Sequence, residues 1–415
     1  MIPGLVESAR PLRFCMVTTF YPPYHFGGDA TFVQALSESL ADAGHHVEVV
    51  HCVDAFRILS SRQPDLPPPH PRVKVHRLES AWGWLSPLIT QQTGRPGLKS
   101  GALRRILSQP FDVVNFHNIS LVGGPGILGM SRAPVTLYTL HEHWLVCPMH
   151  IFWKDGTHAC DGRECISCCL RSHRPPQAWR YTGLIGRSLK HVDLMLAPSE
   201  FTAQAHREGG ITAPMKVVPL FSRFSLPPDL PPFQPPARPR FVFCGRMIAP
   251  KGIAELVDEF CGLPQYDLLI AGDGELRERL ERKAASYPNI RFLGWLSKRQ
   301  LAETLTQSTA FILPSLTPEA FPLMTLEAFA CGTPAIVRVA GGSAESLREY
   351  GAGFSYSNPA ELRQALQQAS APGMREQLSA AAFTAYRTQY SAERYVTDYL
   401  AVVDEIARGK QRARV

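Results

Sequence analysis

The chain has 415 residues, of which 45% are hydrophobic and 19% charged, and its formal net charge at pH 7 is +7. This length predicts two domains, the composition is ordinary for a soluble globular protein, and no apolar run approaches the roughly 18 residues of a membrane-spanning helix. The segment Met1–Arg10 has no apolar core of signal-peptide length, so we expect a cytoplasmic protein. The mild basic excess fits scattered solvated side chains, an anionic substrate or a membrane surface, and we predict no nucleic-acid partner.

The N-terminal part of the chain predicts a parallel α/β sheet. Apolar runs at Arg13–Phe20 and His46–Cys52 predict buried strands, and apolar residues at helical spacing predict a helix from Ala30 to Ala43. A strand–helix–strand unit of this kind forms a parallel sheet. The pair Gly27-Gly28 follows the first strand at the edge where such sheets bind ligands. It would admit a diphosphate close to backbone amides, and a plain tight turn explains it equally well.

Two further strands, Asp112–His117 and Pro134–Leu140, extend the predicted sheet. The second one delivers His141-Glu142-His143-Trp144 at its carboxyl end. A side chain at this edge points into a cleft and not into the core, so His141 is a candidate functional residue. For His143 and Trp144 a structural role is an equal alternative.

The stretch between Ala81 and Gln109 contains Trp82, Trp84 and Leu85 but shows no clear period. In a two-domain enzyme such a stretch could line an acceptor cleft, or it could simply pack.

Ten cysteines fall into two groups. Five lie singly in apolar segments and are predicted to be small core residues: Cys15, Cys52, Cys244, Cys261 and Cys331. The others lie in an insertion of about residues 145–172, with the spacing Cys147-x12-Cys160-x4-Cys165-x2-Cys168 and Cys169 in reserve. In a cytosolic protein this cluster favours a metal over disulfides, and four thiolates around Zn²⁺ would stabilise a loop with little core. Unligated or redox-active thiols, or an iron–sulfur cluster, are the alternatives.

Proline-rich sequence at residues 229–239 predicts a linker between two domains that face each other across a cleft. The predicted N-terminal domain covers residues 1–228 and the C-terminal domain residues 240–390. We expect residues 391–408 to form a helix that returns to the N-terminal domain. Residues 409–415 form a basic tail, predicted to be disordered and able to contact anionic lipid weakly.

The first strand of the second domain, Phe241–Cys244, ends in Gly245-Arg246, and Lys251 follows on the same strand-to-helix loop. A guanidinium and an ammonium five residues apart could clamp two phosphates. A pair of plain surface cations is the alternative.

The stretch from Pro314 to Pro334 carries two carboxylates. It follows a predicted strand, Ala310–Leu313, and a short helix is expected from about Phe321 to Cys331. Glu319 lies at the mouth of this helix and Glu327 eight positions later, which predicts that both lie on roughly one side. Helix amides bind phosphate and carboxylates bind hydroxyls, so the stretch suits a ligand that is part sugar and part phosphate.

These motifs resemble those of the retaining, nucleotide-sugar-dependent glycosyltransferases of family 4, which have the GT-B fold of two Rossmann-like domains. The resemblance covers nearly the whole chain. Its strongest part is Glu319-x7-Glu327, and three further motifs stand in the expected order: Gly27-Gly28, Gly245-Arg246…Lys251-Gly252 and Gly272-Asp273-Gly274. The cysteine insertion resembles one found in a subset of relatives after a His-acid-x-Trp segment, here His141 to Trp144.

The resemblance implies a role for each motif of the second domain. Arg246 and Lys251 would hold the donor diphosphate beside Gly245. Glu319 would bind hydroxyls of the donor sugar near its anomeric carbon, and Glu327 would bind the ribose. The remaining donor contacts would come from the backbone around Phe321, Pro322 and Leu323, where proline removes one N–H that many relatives, with glycine, retain.

In the N-terminal domain, which would bind the acceptor, the resemblance places Gly27 and Gly28 at the donor and His141 at the donor sugar. Asp29 and Trp144 are the acceptor candidates. No Asp-x-Asp motif stands where Mg²⁺ would be needed, so catalysis is expected to require no metal or other cofactor.

The implied reaction occurs on one face of the sugar and retains its anomeric configuration. UDP is the favoured nucleotide on family frequency, with GDP as an alternative. A glycan, a lipid-linked sugar or a small natural product remains open as the acceptor. Two other readings are a GT-B sugar-nucleotide epimerase and a non-catalytic sugar-nucleotide or glycan binder. The spacing of Glu319 and Glu327 argues against the first, and the presence of both cations argues against the second.

Overall fold

A computed structural model describes residues 10–60, 64 and 70–413. The segment Met1–Arg10, the proline-rich stretch at residues 63–71 and the end of the basic tail lie largely or wholly outside these residues. The strands, in chain order, are β1 (Arg13–Val17), β2 (His46–Cys52), β3 (Val73–Leu78), β4 (Val113–Phe116), β5 (Val135–Thr139), β6 (Trp153–Lys154), β7 (His158–Ala159), β8 (Leu194–Ala197), β9 (Met215–Val217), β10 (Arg240–Cys244), β11 (Asp267–Ala271), β12 (Ile290–Gly294), β13 (Ala310–Leu313), β14 (Ala335–Arg338) and β15 (Gly353–Tyr356).

The α-helices are α1 (Gly28–Asp42), α2 (Val53–Leu59), α3 (Leu85–Thr93), α4 (Ser100–Leu107), α5 (Cys165–Arg171), α6 (Leu184–Leu189), α7 (Glu200–Glu208), α8 (Ile253–Cys261), α9 (Arg277–Ala284), α10 (Lys298–Thr306), α11 (Leu323–Ala330), α12 (Glu345–Arg348), α13 (Pro359–Ala369), α14 (Met374–Gln389) and α15 (Ala392–Arg412). Short 3-10 helices lie at Gly97–Lys99, Pro125–Met130, Ala178–Thr182, Ala249–Lys251 and Gly342–Ala344.

The chain forms two compact units. The first unit comprises Met1–His150, Glu164–Leu220 and Ala392–Val415, and the second comprises Ile151–Arg163 and Phe221–Ser391. The cysteine insertion is therefore divided, because its middle part groups with the second unit. Each unit is an α/β domain built on a parallel sheet, which confirms the predicted fold class.

The first unit contains a seven-stranded sheet in the order β3-β2-β1-β4-β5-β8-β9. All of its neighbouring pairs are parallel. The register sets Val17 beside Val50 and Phe116, so the carboxyl ends of β1, β2 and β4 meet at one edge. Apolar strand side chains such as Val114 and Phe116 are fully buried and form the core of the unit with helices from both faces. This edge positions the loops that carry the glycine pair and His141.

The second unit contains a six-stranded parallel sheet in the order β12-β11-β10-β13-β14-β15. Strand β10 lies between β11 and β13, which brings the loop after Cys244 between the loops after Ala271 and Leu313. Three of the predicted motifs follow these three neighbouring strands. The sheet order therefore assembles residues that the sequence separates by some seventy positions.

Helix α15 belongs to the first unit, where it packs against α1 and β5. The Asn115 amide donates to the Tyr399 hydroxyl at 3.2 Å, and the Lys410 ammonium lies 2.6 Å from a carboxylate oxygen of Asp193. The helix continues to Arg412, beyond the predicted end at residue 408. The tail was predicted to be disordered from residue 409; this is wrong up to Arg412, because Lys410 has an ion-pair partner at the helix end.

The stretch between Ala81 and Gln109, for which the sequence showed no period, forms α3 and α4. Within the described residues, every helix is too short or too polar to cross a bilayer.

Candidate active site

The Lys251 ammonium and the Glu319 carboxylate form the centre of the candidate site in the second unit. Lys251 Nζ lies 2.6 Å from Glu319 Oε1, and the Ser315 hydroxyl donates to the same oxygen at 2.6 Å. Burial acts to raise the pKa of Glu319. The charge and hydrogen bond of Lys251, helped by Ser315 and Arg246, outweigh burial, so the pKa of this carboxyl lies below its ordinary value. Glu319 is therefore an anion at neutral pH.

Close packing of two loops fixes Lys251 against the loop that follows β13. Gly252 has φ 65°, and a Cβ there would lie 2.0 Å from the carbonyl oxygen of Pro314. The Leu316 amide donates to the Pro250 carbonyl at 2.9 Å. The position needs glycine both for its left-handed backbone and for the close approach. Lys251 is thus paired and positioned, which disfavours a plain surface cation.

The main chain of Glu319 is held as firmly as its side chain. Its amide donates to the Ala340 carbonyl at 3.2 Å, and the Gly342 amide donates to the Glu319 carbonyl at 2.8 Å. Between Ala340 and Gly342, Gly341 has φ 68°, and a Cβ there would lie 2.7 Å from the carbonyl oxygen of Glu319. Glu319 therefore lies in an extended segment paired with residues that follow β14.

The helix predicted from Phe321 begins at Leu323, with Pro322 as its N-terminal cap in the extended conformation. Pro322 lacks an N–H, but its position precedes the first helical turn, so the orphan amides of that turn are intact. Helix geometry leaves the amides of Leu323 and Met324 without an intrahelical acceptor, and Thr325 donates to the Pro322 carbonyl at 3.1 Å. The start of α11 can therefore offer two amides to an anion. The buried Phe321 ring packs 5.9 Å from the Tyr390 ring.

Glu327 lies in the second turn of α11, whereas Glu319 precedes the helix. The prediction that one helical spacing relates the two carboxylates is therefore wrong, because three non-helical residues, Ala320 to Pro322, separate Glu319 from Leu323. Burial raises the pKa of Glu327 to about 7, and nearby Lys298 counteracts this in part. The two glutamates thus have opposite electrostatic environments.

Glycines also fix the loop that carries Arg246. Gly272 has φ 122°, and a Cβ there would lie 2.0 Å from the carbonyl oxygen of Gly245. The Met247 amide donates to the Asp273 carbonyl at 2.8 Å. The glycine motif after β11 is thus a packing surface for the loop after β10, on which Arg246 is exposed.

In the first unit, the predicted glycine pair forms the beginning of α1. Gly27 is its cap, with an extended backbone, and Gly28 is its first helical residue, whose carbonyl accepts from the Thr31 hydroxyl at 2.9 Å. Asp29 lies in the first turn and accepts a hydrogen bond of 3.1 Å from the Asn118 amide. Asn118 follows β4, so the sheet edge joins the acceptor candidate Asp29 to a residue that the sequence did not single out.

His141 pairs with a second histidine that sequence reasoning treated only as the end of a strand. His117 Nδ1 and His141 Nε2 are 2.9 Å apart, and the rings stack with centroids 5.2 Å apart. Burial lowers the pKa of His141 to about 4, although the charge of Asp29 acts to raise it. Burial, with His141 beside it, also lowers the pKa of His117 well below its ordinary value. Both rings are therefore neutral near pH 7. The sequence did contain one indication of this pair, because each histidine stands at the carboxyl end of one of two strands that are neighbours in the sheet.

Trp144, an acceptor candidate, is packed inside the first unit. It is 2% exposed, and the Arg180 guanidinium lies 5.0 Å from its ring centre. Its ring also lies 5.7 Å from that of Trp179. Such packing favours the structural alternative and argues against an acceptor contact by its side chain.

The predicted four-cysteine zinc site is not assembled. Among the residues that the structure describes, no three His, Cys, Asp or Glu side chains are grouped so as to hold a metal ion. Cys147 and Cys168 are buried in the first unit and Cys165 lies at the start of α5, whereas Cys160 is exposed in the part that groups with the second unit. The Cys160 thiol donates to the Gly162 carbonyl at 3.2 Å. The insertion also has a hairpin of β6 and β7 besides α5, so it contains regular structure of its own.

Comparisons with known proteins agree with this architecture. The model of the group described as Glycosyl transferases group 1 matches residues 232–384, and the model of Glycosyltransferase Family 4 matches residues 26–221. The structure of sucrose-phosphate synthase from Thermosynechococcus elongatus superposes with a TM-score of 0.74 at 18% identity, over 96% of this chain and 100% of that one. Anabaena HepE in complex with UDP-glucose superposes with a TM-score of 0.62 at 15% identity, over 97% and 100% of the chains.

One curated relative is the GDP-mannose-dependent alpha-(1-6)-phosphatidylinositol dimannoside mannosyltransferase of Mycobacterium tuberculosis, which is 40% identical over 106 residues. The match covers 25% of this chain and 28% of the relative's length. Two parallel α/β domains with these structural neighbours show the GT-B fold, and both matching models describe glycosyltransferases. Within that class, the two matching models together cover most of the sequence, and the chain belongs to glycosyltransferase family 4.

Proposed function

We propose that this protein is a retaining glycosyltransferase that moves a sugar from a nucleoside diphosphate sugar to an acceptor hydroxyl. The observation that carries the proposal is the Lys251–Glu319 pair, hydrogen-bonded by Ser315, at the carboxyl edge of the second sheet. A cation fixed against an anion there, just before the start of α11, provides separate partners for a phosphate and for sugar hydroxyls.

The donor would bind through contacts that the second unit supplies. Lys251 and Arg246 bind the diphosphate together with the first amides of α11, at Leu323 and Met324. Glu319, an anion held by its backbone and side chain, accepts hydrogen bonds from the donor sugar. Glu327 binds the ribose from its own helical turn. The pairing with Lys251 keeps Glu319 ionised before the donor arrives, so no proton has to leave on binding.

The proposed chemistry takes place on one face of the sugar. The acceptor oxygen forms a bond to the anomeric carbon as the bond from that carbon to the diphosphate oxygen breaks, and the acceptor proton passes to the leaving phosphate. Arg246, Lys251 and the amides of α11 stabilise the charge that develops on the diphosphate, which requires no metal ion. For His141 we propose a contact with the donor sugar, and its neutral ring adds no repulsion to the developing positive charge.

For the nucleotide we propose UDP, with GDP as the alternative. HepE was solved with UDP-glucose, whereas the mycobacterial relative is named as dependent on GDP-mannose. For the acceptor we propose a hydroxyl of a glycan, a lipid-linked sugar or a small natural product.

The experiment that tests the proposal is incubation of the protein with UDP-sugars and GDP-sugars in the absence of any acceptor. A glycosyltransferase should hydrolyse its donor slowly and release free nucleoside diphosphate, and the first sugar released should keep its anomeric configuration in a proton NMR spectrum. An epimerase would return an isomeric nucleotide sugar, and a binder would return the donor unchanged. Either of the last two results would overturn the proposed function.

A further inference from the structure

The first unit presents an apolar surface that the proposed chemistry does not use. We call it the tryptophan face and define it by Ile58, Leu59, Trp82, Trp84, Leu88 and Leu98. Trp82 and Trp84 are 62% and 63% exposed, and the other four side chains are between 40% and 58% exposed. Tryptophan is highly buried on average. Two exposed tryptophans that occur with four other exposed apolar side chains therefore indicate an interaction surface.

Helix α3 and the elements next to it carry these side chains. Trp84 has helical backbone angles directly before α3, so Leu88, four residues later, lies on the same face of the helix. Ser86 and Thr90 on the other face are fully buried. Helix α2, which ends in Ile58 and Leu59, and the 3-10 helix that contains Leu98 both pack against α3.

Buried polar contacts hold this surface in place from beneath. Lys99 is 3% exposed, and its ammonium donates to the Ser86 carbonyl at 3.2 Å, to the Ser86 hydroxyl at 2.9 Å and to the Thr90 hydroxyl at 3.1 Å. The buried Asp54 carboxylate accepts from the Ser80 amide at 3.0 Å, at the start of the loop that carries the tryptophans. A buried ammonium requires such partners. The buried hydrogen bonds of Lys99 and Asp54 thus hold in place the backbone that carries the tryptophan face.

The segment of the chain that carries most of this surface has charged side chains of one sign. Residues 80–111 contain four basic side chains, Arg95, Lys99, Arg104 and Arg105, and no Asp or Glu. Three of the four, all arginines, are exposed. Nearby Arg57 is neutralised by Glu79 at 3.0 Å. Arg95 lies between α3 and the 3-10 helix that contains Leu98, and α4, which carries Arg104 and Arg105, packs against that 3-10 helix. An apolar surface with arginines on its adjoining elements complements one that is apolar within and negative at its boundary.

We propose that the tryptophan face docks on the surface of a bilayer that contains anionic lipid. The tryptophan rings lie at the level of the head groups, where amphipathic aromatic side chains are favoured. Arg95, Arg104 and Arg105 contact lipid phosphates, and each basic residue near such a surface adds to the attraction. The contact is peripheral, and the basic tail is not required for it.

The test is co-sedimentation of the full chain with vesicles of phosphatidylcholine alone and with vesicles of an equal mixture of phosphatidylcholine and phosphatidylglycerol. We expect binding to the mixed vesicles that weakens with added salt, together with a blue shift of tryptophan emission. The double variant Trp82→Ser/Trp84→Ser should bind at least about tenfold more weakly, because it removes both large apolar anchors. Trp295→Ser, which alters an 82% exposed tryptophan in the second unit, is the matched control and should bind like the wild type.

A second variant guards against misfolding. Arg104→Gln/Arg105→Gln alters only exposed side chains and should lose affinity for the mixed vesicles with an unchanged Tm. Arg412→Gln/Arg414→Gln in the tail should keep full binding. Four results would each overturn the proposal. They are no binding by the wild type, equal binding by Trp82→Ser/Trp84→Ser and Trp295→Ser, equal binding of the wild type to neutral vesicles, and loss of binding only in the tail variant. So would a dimer in light scattering that the Trp82→Ser/Trp84→Ser change dissociates, since a second copy would then cover the face.

Discussion

The Lys251 ammonium and the Glu319 carboxylate are 68 positions apart in the sequence and 2.6 Å apart in the structure. They meet because β10 and β13 are neighbours in a parallel sheet whose loops leave by the same edge. Each residue satisfies the other's charge in a partly buried place, so removing one leaves its partner unpaired. This relationship governs what each substitution should do.

Lys251→Ala and Glu319→Ala should each lower turnover by at least about 100-fold, the scale of losing an electrostatic contact to the transition state. Steady-state kinetics with the donor found in the nucleotide-sugar panel measure the effect. Glu278→Ala, which removes an exposed carboxylate of α9, is the matched control and should retain activity. Near-normal turnover in either site variant would contradict the assignment.

Gly252→Ala should destabilise the second unit by about 3 kcal/mol or more, because it combines a left-handed backbone with overlap on a main-chain oxygen. Gly351→Ala provides the comparison: Gly351 has φ 61° but open space where the Cβ would lie. Urea unfolding of the two variants should therefore show a larger loss for Gly252→Ala. Equal losses would show that the packing of Gly252 on Pro314 contributes nothing beyond backbone strain.

Glu327 should make stability depend on pH in the neutral range. Its pKa in the folded protein is raised to about 7, above the ordinary value of 4.5, so the folded state holds a proton that the unfolded state releases. The contribution of this bound proton to the stability of the folded state is complete below about pH 4.5, and it is lost as pH rises through about 7. The difference in unfolding free energy between wild type and Glu327→Gln, measured by urea titration on both sides of this range, should follow this course. A difference that stays constant across that range would refute it.

His141 should titrate far below an ordinary histidine. Nitrogen-15 NMR of the ring should give a midpoint near the value of about 4 that burial produces. Asp29→Asn should lower the midpoint further, because it removes the carboxylate that raises this pKa. Midpoints near 6.5 in both proteins would contradict this, because they would mean that water solvates a ring whose centroid lies 5.2 Å from those of Phe32 and His117.

Much of the fold could be predicted from the sequence, because apolar strands and their following turns are local signals. Strands such as His46–Cys52 and Ala310–Leu313 have the bounds that their apolar runs predicted. Helix α3 was missed because Trp84 and Leu88 turn their apolar side chains outward, which removes the periodicity that identifies a helix. The same exposed residues form the tryptophan face, so the failure of the pattern coincided with an unusual surface.

The candidate site could be predicted only in part. The motifs with Lys251 and Glu319 indicated charged partners for a nucleotide sugar, but helical spacing predicted that Glu319, at the mouth of the helix, and Glu327 lie on roughly one side. That spacing does not apply, because α11 begins only after Pro322 and Glu319 precedes the helix. The pairing of His117 with His141 depends on the order of strands in the sheet, which local sequence does not specify. The cysteine spacing suggested a metal, whereas among the described residues no three candidate ligands are grouped to hold one.

The most direct test of the central claim is calorimetric titration of the wild type, Lys251→Gln and Glu319→Gln with UDP and with the UDP-sugar that the panel identifies. If Lys251 binds phosphate and Glu319 binds sugar, Lys251→Gln should weaken both ligands by at least about tenfold. Glu319→Gln should keep its affinity for UDP and lose the additional affinity that the sugar part of the UDP-sugar provides. Equal weakening of both ligands in Glu319→Gln, or unchanged UDP binding in Lys251→Gln, would contradict the account.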